Sequence, residues 1–311
     1  MEKKTQPRLL VPVDGSDRSF NTIRYISKLD PFRRMGITLL HVFSKIPDGF
    51  WDLETDPRSS STVKQVRAWE AQQRKNIVQY MDIAVQFLTK AGFAADAIEV
   101  KIQDRKKGFA RDIIREAQNG YDAVVSRRRG MTGLRGIVLG SVAAKLVQKL
   151  AFVPLILAGR KTPGHKILLG FDGSEGSWRA VDFVGLTMGG GKFKVKLIHV
   201  MRGKEDSRPE VQRLYSPAKY TRFTLKEISA EMVSARQKLV ELGFKAAQVS
   251  TELVTGASSR AGAIAAEARQ NGYGTIVMGR RGHSRVRDFF IGRVTNKVIH
   301  VARDRTVWIV R

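Results

Sequence analysis

The chain carries one set of sequence marks twice. Val11-Pro-Val-Asp-Gly-Ser16 returns as Leu169-Gly-Phe-Asp-Gly-Ser174, and Asn119-Gly-Tyr121 returns as Asn271-Gly-Tyr273. A glycine-spaced segment from Gly130 to Ser141 returns from Gly282 to Arg293. The last two pairs share an offset of 152 residues, and the first pair is offset by 158. A long period of this kind means two whole globular domains rather than a solenoid. Two domains in 311 residues leave about 150 residues each, enough for a proper core. The expected boundaries are 1–160 and 165–311, with a short linker between them.

Within each repeat, short apolar runs alternate with amphipathic stretches. Expected strands are 9–13, 37–42, 98–102, 122–125 and 154–157, then 166–171, 194–200, 249–254, 275–278 and 306–310. Expected helices are 21–29, 63–90, 110–119 and 141–150, then 177–186, 224–242, 261–270 and 295–302. Residues 44–61 and 202–223 read as long loops. Runs apolar on both faces suit the interior of a parallel sheet, and strand–helix alternation makes the class α/β with right-handed crossovers.

Composition excludes several functions. There is no cysteine, so disulfides, thiol catalysis and thiolate metal sites are out. The start is polar and lacks a secretory leader, and no apolar run reaches the roughly 18 residues of a membrane span. A cytoplasmic location without membrane insertion is therefore expected. No metal site is expected, because His41 and His199 have no second ligand at a useful spacing. The formal net charge of +26 attracts polyanions.

In an open doubly wound sheet, ligands bind beyond the carboxyl ends of the strands. Asp14 and Asp172 follow the first strand of each repeat. Gly130 and Gly282 follow the fourth, and Gly140-Ser141 and Gly292-Arg293 open the next helix. Glycines permit close backbone approach, and a helix N-terminus presents N–H groups to an anion. Basic clusters at 105–107, 127–129 and 280–281, with Arg285 and Arg287, add positive charge, and the second and third are the same loop in the two repeats.

These residues resemble a tandem universal stress protein. The opening Asp-Gly-Ser, the His-Val closing the second strand, and most of a Gly-x-x-Gly-x9-Gly-Ser/Thr signature carry the resemblance. It implies two tandem doubly wound, five-stranded parallel sheets of order 3-2-1-4-5, of the adenine-nucleotide alpha-hydrolase type. It also implies ATP or another adenine nucleotide at the crevice, held by Asp172, Val200, Gly279, Gly282, Gly292 and Arg293 in the second repeat. The counterparts in the first are Asp14, Val42, Gly130, Gly140 and Ser141. The second repeat is the expected binder. The first has Arg127 at the first signature glycine and Asp104 near the crevice, while the second departs only at Arg293. The resemblance further implies a non-catalytic, regulatory stress-response protein. Its repeats would pair as an intramolecular pseudo-dimer through their last strands, with association into homo-oligomers. The alternative is a basic interaction protein with degenerate sites, bound to nucleic acid or an acidic protein.

Overall fold

The computed structural model describes residues 6–51, 60–128, 138–160, 164–202, 225–283 and 291–311. The chain divides into two compact units, Met1–Lys28 with Arg33–Leu146, and Leu29–Phe32 with Val147–Arg311.

The first unit contains β1 (Arg8–Pro12), α1 (Asp17–Ser27), β2 (Gly36–Phe43), α2 (Asp48–Trp51), α3 (Ser60–Lys90), β3 (Ile98–Asp104), α4 (Phe109–Glu116) and β4 (Ala123–Arg127). The helix α5 (Ser141–Lys149) begins in this unit and ends in the second. Its strands run parallel in the order β3-β2-β1-β4. β1 and β4 are buried along nearly their whole length, whereas β3 at the edge is half-exposed. The apolar runs of the sequence thus mark central strands, and the alternating run marks the edge.

The second unit contains β5 (Leu155–Ala158), β6 (Lys166–Gly170), α6 (Glu175–Met188), β7 (Lys194–Arg202), α7 (Leu225–Glu241), β8 (Val249–Ala257), α8 (Arg260–Gln270), β9 (Thr275–Gly279), α9 (Arg293–Val301) and β10 (Thr306–Val310). Parallel pairing gives β8-β7-β6-β9-β10, the expected order 3-2-1-4-5. β5 adds to the far side of β10 antiparallel, with Ile156 opposite Trp308. Trp308 is buried and stacks on Phe32 at 5.9 Å. Phe32 lies in the short segment, Leu29–Phe32, that belongs to this unit.

The structure moves some expected boundaries. Helix α1 starts at Asp17 rather than 21, because the side chain of Ser16 accepts from the Ser19 N–H and caps it. The expected loop 44–61 contains the short α2. Nearly all of the expected loop 202–223 lies outside the described residues.

The same tie joins the second strand to the turn after the first in each unit. His41 Nδ1 lies 3.0 Å from the carbonyl of Val13, and His199 Nδ1 lies 2.8 Å from that of Phe171. A carbonyl only accepts, so each Nδ1 carries the proton. Another tie is buried in the second unit. Arg280 donates to the carbonyls of Val147, Gln148 and Leu150 at the end of α5. These are the acceptors a helix end leaves unpaired, and they lie at its negative pole. Burial, with Arg281 nearby, lowers the Arg280 pKa to about 10, so it remains charged at neutral pH.

Two outcomes follow. Arg280→Ala leaves those carbonyls without their donor and should lower stability by about 2–4 kcal/mol, read by chemical denaturation. Burial holds the pKa of His41 and of His199 below the ordinary value, against the opposing pull of the carbonyl bonds. The unfolded chain therefore takes up these protons first as pH falls. Stability is full above about pH 6.5 and declines toward the lower folded-state values. The double variant His41→Gln, His199→Gln should show a shallower loss below about pH 6.5 in urea titrations at a series of pH values.

Candidate functional site

The second unit gathers the expected residues at the carboxyl ends of β6, β7 and β9. Strand β6 ends at Gly170, and the chain turns through Asp172-Gly173-Ser174. Gly173 has φ of 76°, a left-handed conformation that side chains disfavour. Asp172 Oδ1 accepts from the backbone N–H of Ser174 at 3.1 Å and from its hydroxyl at 2.5 Å. Ser174 in turn caps α6 by accepting from the Ser177 N–H.

The glycine loop closes over this turn. A Cβ on Gly282 would meet Asp172 Oδ2, so with glycine there the carboxylate can lie against the loop without shifting. His283 Nε2 lies 2.7 Å from the Asp172 carbonyl. Gly292 donates its N–H to the carbonyl of Arg280 at 2.8 Å and stands at the N-cap of α9 without a side-chain cap. Thr295 Oγ1 donates to the Gly279 carbonyl at 2.8 Å, fastening α9 to the end of β9. Arg293 is the exposed first residue of α9. Asp172, Gly282 and His283 are thus in direct contact, while Gly279 and Gly292 are tied into the same turn.

Gly279 has a packing role of its own. A Cβ there would lie 2.5 Å from the backbone carbon of Gly176, so the glycine lets the start of α6 rest on the end of β9. The first repeat carries Arg127 and Arg18 at the corresponding places. Val200 is buried, and its carbonyl accepts from Arg260 Nε at 3.1 Å. Arg260 was not picked out from the sequence. Its signal there is a cation on the first turn of a helix, the end that favours anions.

The first unit repeats part of this geometry. Asp14 Oδ1 accepts from the N–H and hydroxyl of Ser16, and Val42 is buried at the end of β2. Gly140 donates to the Arg128 carbonyl at 2.7 Å, and Ser141 opens α5. Gly130 lies outside the described residues, as do Arg129, Arg285 and Arg287.

Two expectations about charge need correction. Arg128 and Arg280 are buried rather than poised over the crevice, and Arg280 serves the carbonyls named above. Asp104 does not stand as a bare negative charge. It pairs with Lys45 at 2.8 Å and Arg74 at 2.6 Å, and the Lys45 bond leads in holding its carboxyl below the usual range. The basic stretch 105–107 also has its backbone spoken for. The N–H groups of Lys106, Lys107 and Gly108 all donate to the buried Asp112 carboxylate. Among the described residues, no group of three or more His, Asp or Glu side chains is placed to hold a metal, and no helix is long and apolar enough to cross a membrane.

The sequence model of the universal stress protein family matches residues 7–156 and 164–311. A universal stress protein of Mycolicibacterium smegmatis is 25% identical over 202 residues, covering 60% of this chain and 65% of the relative. One from Synechocystis is 24% identical over 199 residues, covering 62% and 60%. The chain thus matches a little under two thirds of the length of these relatives. The crystal structure of a universal stress protein from Archaeoglobus fulgidus covers 99% of both chains at a TM-score of 0.63 and 19% identity, a likeness of fold. With both repeats matched nearly end to end, the chain belongs to the universal stress protein family, as two tandem domains.

Proposed function

We propose that this chain is a non-catalytic regulatory protein that binds ATP or another adenine nucleotide in the crevice of its second repeat. The observation that carries this reading is the convergence at Asp172. A carboxylate, a glycine loop with no Cβ in the way, and the N-terminus of α9 all meet beyond the ends of parallel strands. The carboxylate is an acceptor for sugar hydroxyls. The uncapped N–H groups of α9 and the Arg293 guanidinium suit phosphate. The second repeat is preferred because it keeps Gly279, Gly282 and Gly292, where the first has Arg127 at the first of these steps.

The two repeats would act as an intramolecular pair through their last strands. In support, β5, the fifth strand of the first repeat, belongs to the second unit and is hydrogen-bonded to β10. Covalent linkage raises the effective concentration of one repeat for the other.

Calorimetric titration with ATP tests the nucleotide reading. The wild-type chain should bind, Asp172→Ala should bind about tenfold or more weakly, and Arg293→Ser about three- to tenfold more weakly. No measurable adenylate binding by the wild-type protein overturns the reading. An Arg293→Ser variant that binds more tightly shows the arginine excludes phosphate. The net charge of +26 favours a second reading, a polyanion partner. Affinity for DNA or RNA should then fall steeply between low and moderate salt. Salt-independent binding in a pull-down counts against it.

A further inference from the structure

In the first repeat, the chain leaves β3 through Arg105-Lys106-Lys107-Gly108 and enters α4, whose exposed residues include Phe109, Arg111 and Arg115. The acids of this stretch are Asp104, Asp112 and Glu116, and all are engaged. Asp104 pairs with Lys45 and Arg74, and Glu116 accepts from Lys101 and Tyr121. Asp112 is buried and accepts from the backbone N–H groups of Lys106, Lys107 and Gly108. At the other end of the loop, the Arg105 N–H donates to the Phe43 carbonyl at 2.7 Å. The loop is thus fastened through its backbone, and its cationic side chains are left at the surface. Among the described residues, no carboxylate lies within salt-bridge distance of Arg105, Lys106, Lys107, Arg111 or Arg115.

The second repeat shows that the fold does not require these charges. Gln103 stands opposite Val42 and Val254 opposite Val200, and the next helices start equally far on, at Phe109 and Arg260. Matched in this way, Arg105, Lys106 and Lys107 correspond to Gly256, Ala257 and Ser258, and Arg111 and Arg115 to Gly262 and Ala266. The charges are also unfavourable where they stand. The N-terminus of α4 is a positive pole, and Arg111 and Arg115 are like charges four residues apart on one helix face. Five cations set against their own repulsion, where the other repeat has small neutral residues, point to an anionic partner.

Phe109 narrows the class of partner. Its ring is 41% exposed, an unusual state for a large apolar side chain, and the Arg105 guanidinium lies 5.4 Å from its centroid. An aromatic ring among cations suits unstacked bases joined by phosphates, whereas a duplex keeps its bases stacked inside. We propose that the loop 105–108 and the exposed side of α4 form a binding surface for single-stranded nucleic acid. Phe109 stacks on a base, and the five cations pair with the phosphates on either side of it. This rests on the polyanion reading above and gives that reading a place and a partner class.

The test is fluorescence anisotropy with a labelled single-stranded RNA of about twelve nucleotides and with its duplex, beside co-sedimentation with phosphatidylserine vesicles. One variant combines Arg105→Ala, Lys106→Ala, Lys107→Ala, Arg111→Ala and Arg115→Ala, all at exposed positions, and circular dichroism checks its fold. A control combines Lys192→Ala, Lys194→Ala, Lys226→Ala, Arg269→Ala and Lys297→Ala, which removes the same formal charge from exposed positions of the second unit. At about 100 mM salt the first variant should bind the single strand about thirtyfold or more weakly than wild type, and the control within about threefold of it. The slope of log affinity against log salt should fall by about three in the first variant. Phe109→Ala should bind the single strand about tenfold more weakly with the slope unchanged. Equal binding by the first variant and the control shows that the surface is wrong and leaves the polyanion reading standing. An unaltered affinity in Phe109→Ala overturns the proposal, as does wild-type binding of duplex or vesicles as tight as that of the single strand. If the wild-type chain binds none of the three, this proposal and the polyanion reading fall together.

Discussion

The turn after the first strand of each repeat is held by one compact hydrogen-bond circuit. Asp172 bonds the N–H and hydroxyl of Ser174, Ser174 caps α6, and Gly173 supplies the left-handed backbone that lets the chain reverse. Asp14, Gly15 and Ser16 do the same before α1. The circuit fixes where the first helix leaves the central strand, and so where that helix lies across the sheet. It also holds the carboxylate at the carboxyl end of the strand, in the crevice where open α/β sheets bind ligands. His41 and His199 then clamp the neighbouring strand to the same turn, which aligns the end of the second strand with the carboxylate. Scaffold and candidate site share the same few atoms in this turn, and both repeats keep the turn.

Much of this was legible in the chain because the deciding interactions are local. Asp-Gly-Ser spells out its own turn, and apolar runs bounded by glycine mark buried strands. Comparison of the repeats singles out Gly282 and Gly292 in the sequence itself. What could not be read depends on partners far away in sequence. Arg280 looks like part of a basic loop, but its direction is decided by carbonyls more than a hundred residues earlier. Asp104 looks repulsive until Arg74, on α3, is brought beside it. Arg260 looks like an ordinary exposed arginine until a bulge in β8 sets it over β7. The start of α1 was missed for a smaller reason: hydrophobic periodicity begins a turn after the capping residue does.

The divergence of the two repeats follows a packing rule as much as a ligand rule. The close approach of α6 to β9 needs two glycines at once. Gly279 has no Cβ to strike Gly176, and a Cβ on Gly176 would strike the carbonyl of Arg281. Once either carries a side chain, the helix must stand off, and the other position no longer gains from being glycine. The first repeat has side chains at both, Arg18 and Arg127. Side chains at both positions are compatible with a first repeat that does not use this close approach. At the end of the loop the two repeats still agree, since Gly140 donates to the Arg128 carbonyl at 2.7 Å as Gly292 does to that of Arg280 at 2.8 Å. In the second repeat, one glycine of the signature thus serves a helix–strand contact beside the crevice.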